Sequence, residues 1–191
     1  MRSRRNTTRR RRSRGQALVE FAFIIPIFMT LIVAIAEFSF LLVVKVGVTD
    51  TAQDAVQYAS ELGQTTNADF FILQLVEKDM AAPINKQEIQ SVVIFKTNLL
   101  GANLGSDTYT RTGTWTLNSV TIPYSLSGTK GYPETSRCNT VDTSVCGGVQ
   151  WIGVTVTYQY AWITPLPNLV GLGTTPPTFV QTSTSRLEPI Q

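Results

Sequence analysis

The chain has 191 residues, enough for one modest domain and a membrane segment but not for two full domains and an anchor. Histidine is absent, which removes Ser-His-Asp and Cys-His catalysis and every His-metal site. The net charge of +3 averages two unlike parts, because residues 1–15 hold eight Arg and no acid whereas the remainder carries a net of −5.

Residues 17–48 are almost continuously apolar, interrupted by charge only at Glu20, Glu37 and Lys45. About 20 apolar residues cross a bilayer, and at ~1.5 Å per residue a helix over 17–46 would reach ~45 Å. One span is predicted. The Arg run precedes it, while Asp50, Asp54 and Glu61 follow it, so the positive-inside rule places the N-terminus in the cytoplasm and the C-terminal part outside. Pro26 removes a backbone donor inside the span and should kink it, as neighbours in a membrane allow. The Arg run could also serve as a nucleic-acid arm, but the adjacent span accounts for it better. A twin-Arg signal at Arg4-Arg5 would want apolar residues next, where Asn6-Thr7-Thr8 stand. The alternative is a secreted or membrane-anchored binding module with an ordinary signal peptide, cleaved after Ala36 in Ala34-Ile35-Ala36. Against it, the apolar run resumes at 38–44, and Glu20 falls at the start of what would be the h-region.

The stretch Arg14-Gly15-Gln16-Ala17-Leu18-Val19-Glu20-Phe21 resembles the type IV prepilin cleavage sequence: a small residue closes a basic leader, an apolar helix follows, and a carboxylate stands five residues after the Gly. With Ala22, Pro26 and the Glu37-Phe38 pair, the segment is similar to the start of TadE-like proteins, minor pilins or pseudopilins of the tight-adherence (Flp) pilus system. An Ala-rich stretch at 50–59 and a Ser/Thr-rich ending, Thr182-Ser183-Thr184-Ser185-Arg186-Leu187-Glu188, extend the likeness. It covers roughly the first 60 and last 40 residues; the middle matches no known pattern. The resemblance implies cleavage by a prepilin peptidase between Gly15 and Gln16. It implies that Glu20 is a processing or assembly carboxylate that meets a free α-amino group in a helix bundle. It also implies that the partners are other pilins, inner-membrane assembly proteins and the lipid bilayer. A carboxylate at the membrane boundary is costly and should be paired or functional; otherwise Glu20 is a snorkelling interfacial acid. The long Arg run and the loop-rich middle depart from the family pattern. The expected division is 1–15 leader, 16–48 transmembrane helix and 49–191 extracytoplasmic domain.

Beyond the span, Ala52, Ala55, Val56, Ala59 and Leu62 form one helical stripe, with Gly63 as its C-cap, so a single helix is predicted over 17–62. Asn67 can cap a second helix with Asp69 in its first turn and Phe71, Leu75 and Val76 on its apolar face; Pro83 ends it, and Glu77 and Asp79 read as a solvated face. Residues 89–96 are a Val/Ile/Phe run. Residues 115–126 alternate at Val120, Ile122 and Tyr124, with Pro123 marking an edge. In 151–160, Ile152, Val154, Val156, Tyr158 and Tyr160 face one way, the half-buried pattern of an antiparallel sheet. Residues 178–187 form a last, polar strand. Helices first and strands later give an α+β fold, a long helix laid across an antiparallel sheet. Residues 100–113 and 127–148 read as surface loops. Cys138 and Cys146 fit no zinc spacing; outside the membrane they would close a small loop as an oxidised pair, or else stand as two free thiols. The sequence has no Gly-rich phosphate loop, no G-x-S-x-G elbow and no usefully spaced carboxylate pair. No cofactor, metal, nucleic acid or small-molecule substrate is expected, and no enzymatic role.

Overall fold

The computed structural model describes residues 9–80, 84–165, 171 and 175–189, with only the backbone taken for 9–14 and 145. Most of the basic leader and Pro83 therefore lie outside the described residues or side chains. The chain divides into two units: Met1–Phe40 with Trp162–Thr174, and Leu41–Ala161 with Thr175–Gln191. This boundary falls before residue 48, and it assigns the segment after Ala161 to the first unit.

The first unit contains the N-terminal part of helix α1 (Arg9–Leu62). The helix begins ahead of the expected residue 17 and runs through Pro26 without interruption. Thr30 Oγ1 donates to the Pro26 carbonyl at 2.8 Å.

In the second unit, α1 continues with small residues on one stripe. Val44, Val48, Ala52, Ala55, Val56 and Ala59 are buried. Their size lets another layer approach closely, which is why Ala and Val stand where a soluble amphipathic helix usually carries Leu. Gly63 ends α1 in the left-handed region at φ 49°, as the C-cap reading requires. Helix α2 (Ala68–Asp79) adds Phe70, Ile72, Leu73 and Val76 to the core, a stripe rotated from the predicted one, since Phe71 and Leu75 are only half-buried. Asn67 stands at the cap position, but at φ 61° and with no side-chain bond to the helix.

The sheet has order β5-β2-β1-β6-β7 with every neighbouring pair antiparallel. Its strands are β1 (Ile89–Thr97), β2 (Gly105–Thr110), β5 (Ser125–Leu126), β6 (Trp151–Gln159) and β7 (Thr178–Arg186). A separate hairpin is made by β3 (Trp115–Leu117) and β4 (Val120–Ile122). Val92 and Ile94 of β1 lie opposite Val156 and Val154 of β6, and all four are fully buried. A bulge between Ile89 and Ser91 lets Ile89 and Val92 both reach the core, although their odd spacing would otherwise put them on opposite faces. On the other face, Phe95 lies opposite Gly153. A Cβ there would overlap the Phe95 ring, so the missing side chain is what buries the ring.

Two loop expectations are corrected. Residues 100–113 contain β2, which pairs with β1 over Ser91–Lys96 and is interior to the sheet. Residues 127–148 are not a free surface loop: Tyr132, Arg137, Cys138 and Asn139 are buried. Both were hidden by polar composition, because the inward side chains are Asp107, Tyr109 and Arg137 rather than aliphatics. The α+β architecture, with two long helices and an antiparallel sheet, is as the sequence indicates.

Candidate functional site

In the first unit α1 is apolar on every side. Its side chains are exposed rather than packed inside the protein: Phe23 is 74 % exposed, and Leu18, Phe21, Ile24 and Ile27 are exposed too. A helix apolar all round belongs in a protein interior or a membrane, and water would not tolerate so large a continuous apolar surface. Length and composition suffice to cross a bilayer.

Gly15, Gln16 and Glu20 lie near the start of this surface, and all three are exposed. A side chain added at Gly15 would meet nothing. Gln16 and Glu20 are one helical turn apart, and Gln16 Nε2 donates to Glu20 Oε1 at 3.0 Å. Glu20 thus projects from the apolar helix as a carboxylate whose described partner is an amide, with no cation bonded to it among the described residues.

Glu37 is placed differently. It is only 4 % exposed. Its Oε1 accepts from the Ile163 N–H at 3.1 Å and its Oε2 from the Thr164 N–H at 2.9 Å. Both partners come from the segment leaving β6. The sequence singled out Glu37 only as part of a motif; that a chain segment so distant would fold back to it has no local signal.

The second unit holds a buried polar cluster. Asp69 of α2 and Arg137 are both fully buried and form an ion pair through Asp69 Oδ1 and Arg137 Nη2. Tyr109 of β2 donates its hydroxyl to Asp69 Oδ2 at 2.6 Å, and Lys130 Nζ approaches the same oxygen at 3.3 Å. Lys130 also pairs with Glu134 at 2.6 Å. The Arg137 guanidinium lies 5.1 Å from the Tyr132 ring centroid. Asp107 Oδ1 accepts from the Gly131 and Tyr132 N–H groups at 2.7 and 3.0 Å. Together these bonds tie segment 130–137 to α2 and β2. Burial raises the Asp107 carboxyl above its ordinary value, partly offset by those two N–H donors. Burial and the Asp69 charge raise the Tyr109 hydroxyl strongly, and burial lifts Tyr132 to about 12. The neutral phenols are therefore fixed as donors across the physiological range. The available sequence signal was that Asp69 shares its helical stripe with Leu73 and Val76, an acid where an apolar residue belongs.

Glu77 is corrected from a solvated acid to an ion-pair centre. Arg111 Nη1 binds it at 2.5 Å and Lys86 at 3.3 Å. Cys138 and Cys146 are joined, with Cα atoms 6.0 Å apart, and Cys138 follows the buried Arg137 directly. A cleft of about 460 Å³ opens between Asn67, Tyr109, Trp115, Tyr124, Lys130 and Glu134. Among the described residues no group of three or more His, Cys, Asp or Glu could hold a metal ion.

Residues 15–57 match the family described as TadE-like protein. No curated protein and no solved structure matches the chain. The match begins at Gly15 and ends within the Ala-rich stripe of α1, so it spans the apolar helix and not the sheet.

Proposed function

We propose, from the match of residues 15–57 to TadE-like proteins, that the chain acts in the Tad pilus system as a membrane-anchored minor pilin or pseudopilin whose leader is removed by a prepilin peptidase. One observation carries this reading: the family match starts at Gly15, where the Arg-rich segment meets an exposed, all-round apolar helix bearing a lone carboxylate at Glu20. The peptidase cuts between Gly15 and Gln16. Because Gly15 lies inside α1, its first turns must unwind to enter a peptidase cleft. Glycine favours this, costing a helix about 1 kcal/mol relative to alanine. Cleavage frees the Gln16 α-amino group, and Glu20 supplies the charge that such an amine on a neighbouring helix neutralises.

The role is structural rather than enzymatic. Other pilins and inner-membrane assembly proteins pack against α1. The Arg run stays in the cytoplasm and the sheet domain lies outside. Changing Gly15→Leu tests processing: the expected result is full-length precursor accumulating in the membrane, and normal trimming would refute the assignment. Changing Glu20→Ala should reduce pilus assembly while leaving the domain folded. Wild-type piliation would count against the role given to that carboxylate.

A further inference from the structure

The segment after β6 returns to α1 at Glu37, and with α1 placed across a bilayer this contact falls where water is scarce. Counted from Phe21, the start of the uncharged run, about 20 residues cross the hydrocarbon, ending at Phe40. Glu37 then lies three residues, or ~4.5 Å, inside the outer boundary. It is there that the Ile163 and Thr164 N–H groups bind its two oxygens. Irregular backbone in or near lipid is tolerated only when its polar groups are satisfied internally, and a carboxylate at that depth needs donors. Each solves the other's problem.

The surroundings are apolar. Ile163 is 59 % exposed beside the bonded carboxylate, and Phe38, adjacent on α1, is 62 % exposed. Trp162 precedes them, a residue suited to the headgroup level. The sequence from 143 to 185 carries no charged side chain, so no charge in the segment opposes lipid contact.

We propose that the chain at Trp162–Ile163–Thr164 is a second membrane contact: it dips into the outer leaflet beside α1, with lipid as its partner and Glu37 as the positioning residue. In this arrangement the exposed Phe38 and Ile163 side chains both face lipid. This rests on α1 spanning the bilayer.

The test uses the full chain in phosphatidylcholine vesicles with an environment-sensitive fluorophore at I163C or at F38C, read by quenching from brominated acyl chains. The expected result is loss of fluorescence at both positions. Quenching at position 38 but not at 163 overturns the proposal while leaving the span intact, even if the 163 probe is blue-shifted by a protein contact. Quenching at neither position removes the span and the proposal with it. In E37A, position 163 should lose its quenching and position 38 keep it; unchanged quenching at 163 overturns the role given to Glu37.

Discussion

Replacing Asp69 with alanine tests the buried cluster most severely. The carboxylate is fully buried and serves three donors: the Arg137 guanidinium, the Tyr109 hydroxyl at 2.6 Å and Lys130 at 3.3 Å. Its loss strands a fully buried Arg137, whose Nε and Nη1 already have no acceptor. Breaking a buried pair from one side costs ~3–5 kcal/mol, and orphaning the Tyr109 hydroxyl adds ~1 kcal/mol or more. Because these groups share one network the terms are not additive, and about 4–5 kcal/mol is expected. Domain stabilities lie near 5–15 kcal/mol, so D69A should bring the domain close to unfolding. R137M removes the cation instead and leaves Asp69 with Tyr109 and Lys130, so it should cost only about 2 kcal/mol. The double variant should cost less than the sum of the two. Urea unfolding of the full chain in detergent micelles, followed by near-ultraviolet circular dichroism, gives all three values. If R137M proves more damaging than D69A, or if D69A lies within ~1 kcal/mol of wild type, the reasoning is refuted.

Asp107 carries a pH dependence. Its carboxyl lies above the ordinary value chiefly because it is buried. The folded state therefore holds this proton to a higher pH than the unfolded chain does. Its contribution is greatest at acid pH and falls as pH rises from about 4 towards the shifted value. D107N keeps the oxygen that binds the Gly131 and Tyr132 N–H groups, so it should flatten this decline and raise the urea midpoint at neutral pH; an unchanged slope would contradict the assignment. G153V would place a side chain in the Phe95 ring, and over-packing of this kind costs ~1–3 kcal/mol; the paired change F95A should relieve part of it, and equal losses in the single and double variants would argue against the contact. C138S opens a loop of sequence separation 8 and should cost about 2–3 kcal/mol, an effect that vanishes when wild type is measured in reductant.

The helix α1 and strand β6 were legible because their signals are local: an unbroken apolar run, and strict alternation from Ile152 to Tyr158. The Ala stripe and Gly63 likewise located the end of α1. Strand β2 was not legible, since Gly105-Ser106-Asp107-Thr108-Tyr109-Thr110 has no apolar alternation and is ordered by pairing with β1. By its alternation the run 115–126 reads as one stretch. It is broken by Asn118 and Ser119, both left-handed at φ 49° and 64°, the backbone of a type I′ hairpin turn. An Asn at the first of those positions was a usable sign. The polar cluster and the Glu37 contact join residues far apart in the chain, and no periodicity encodes such pairings. The sequence itself marks Gly15, Gln16 and Glu20 of the proposed leader site. The structure adds that they are helical and exposed, with Gln16 bonded to Glu20.

The mass of the native polypeptide purified from membranes, with its terminal peptide sequenced, bears most directly on the proposed processing. A chain beginning at Gln16 is the predicted outcome. One that still begins at Met1, or that begins at Glu37 without its apolar helix, would contradict the account.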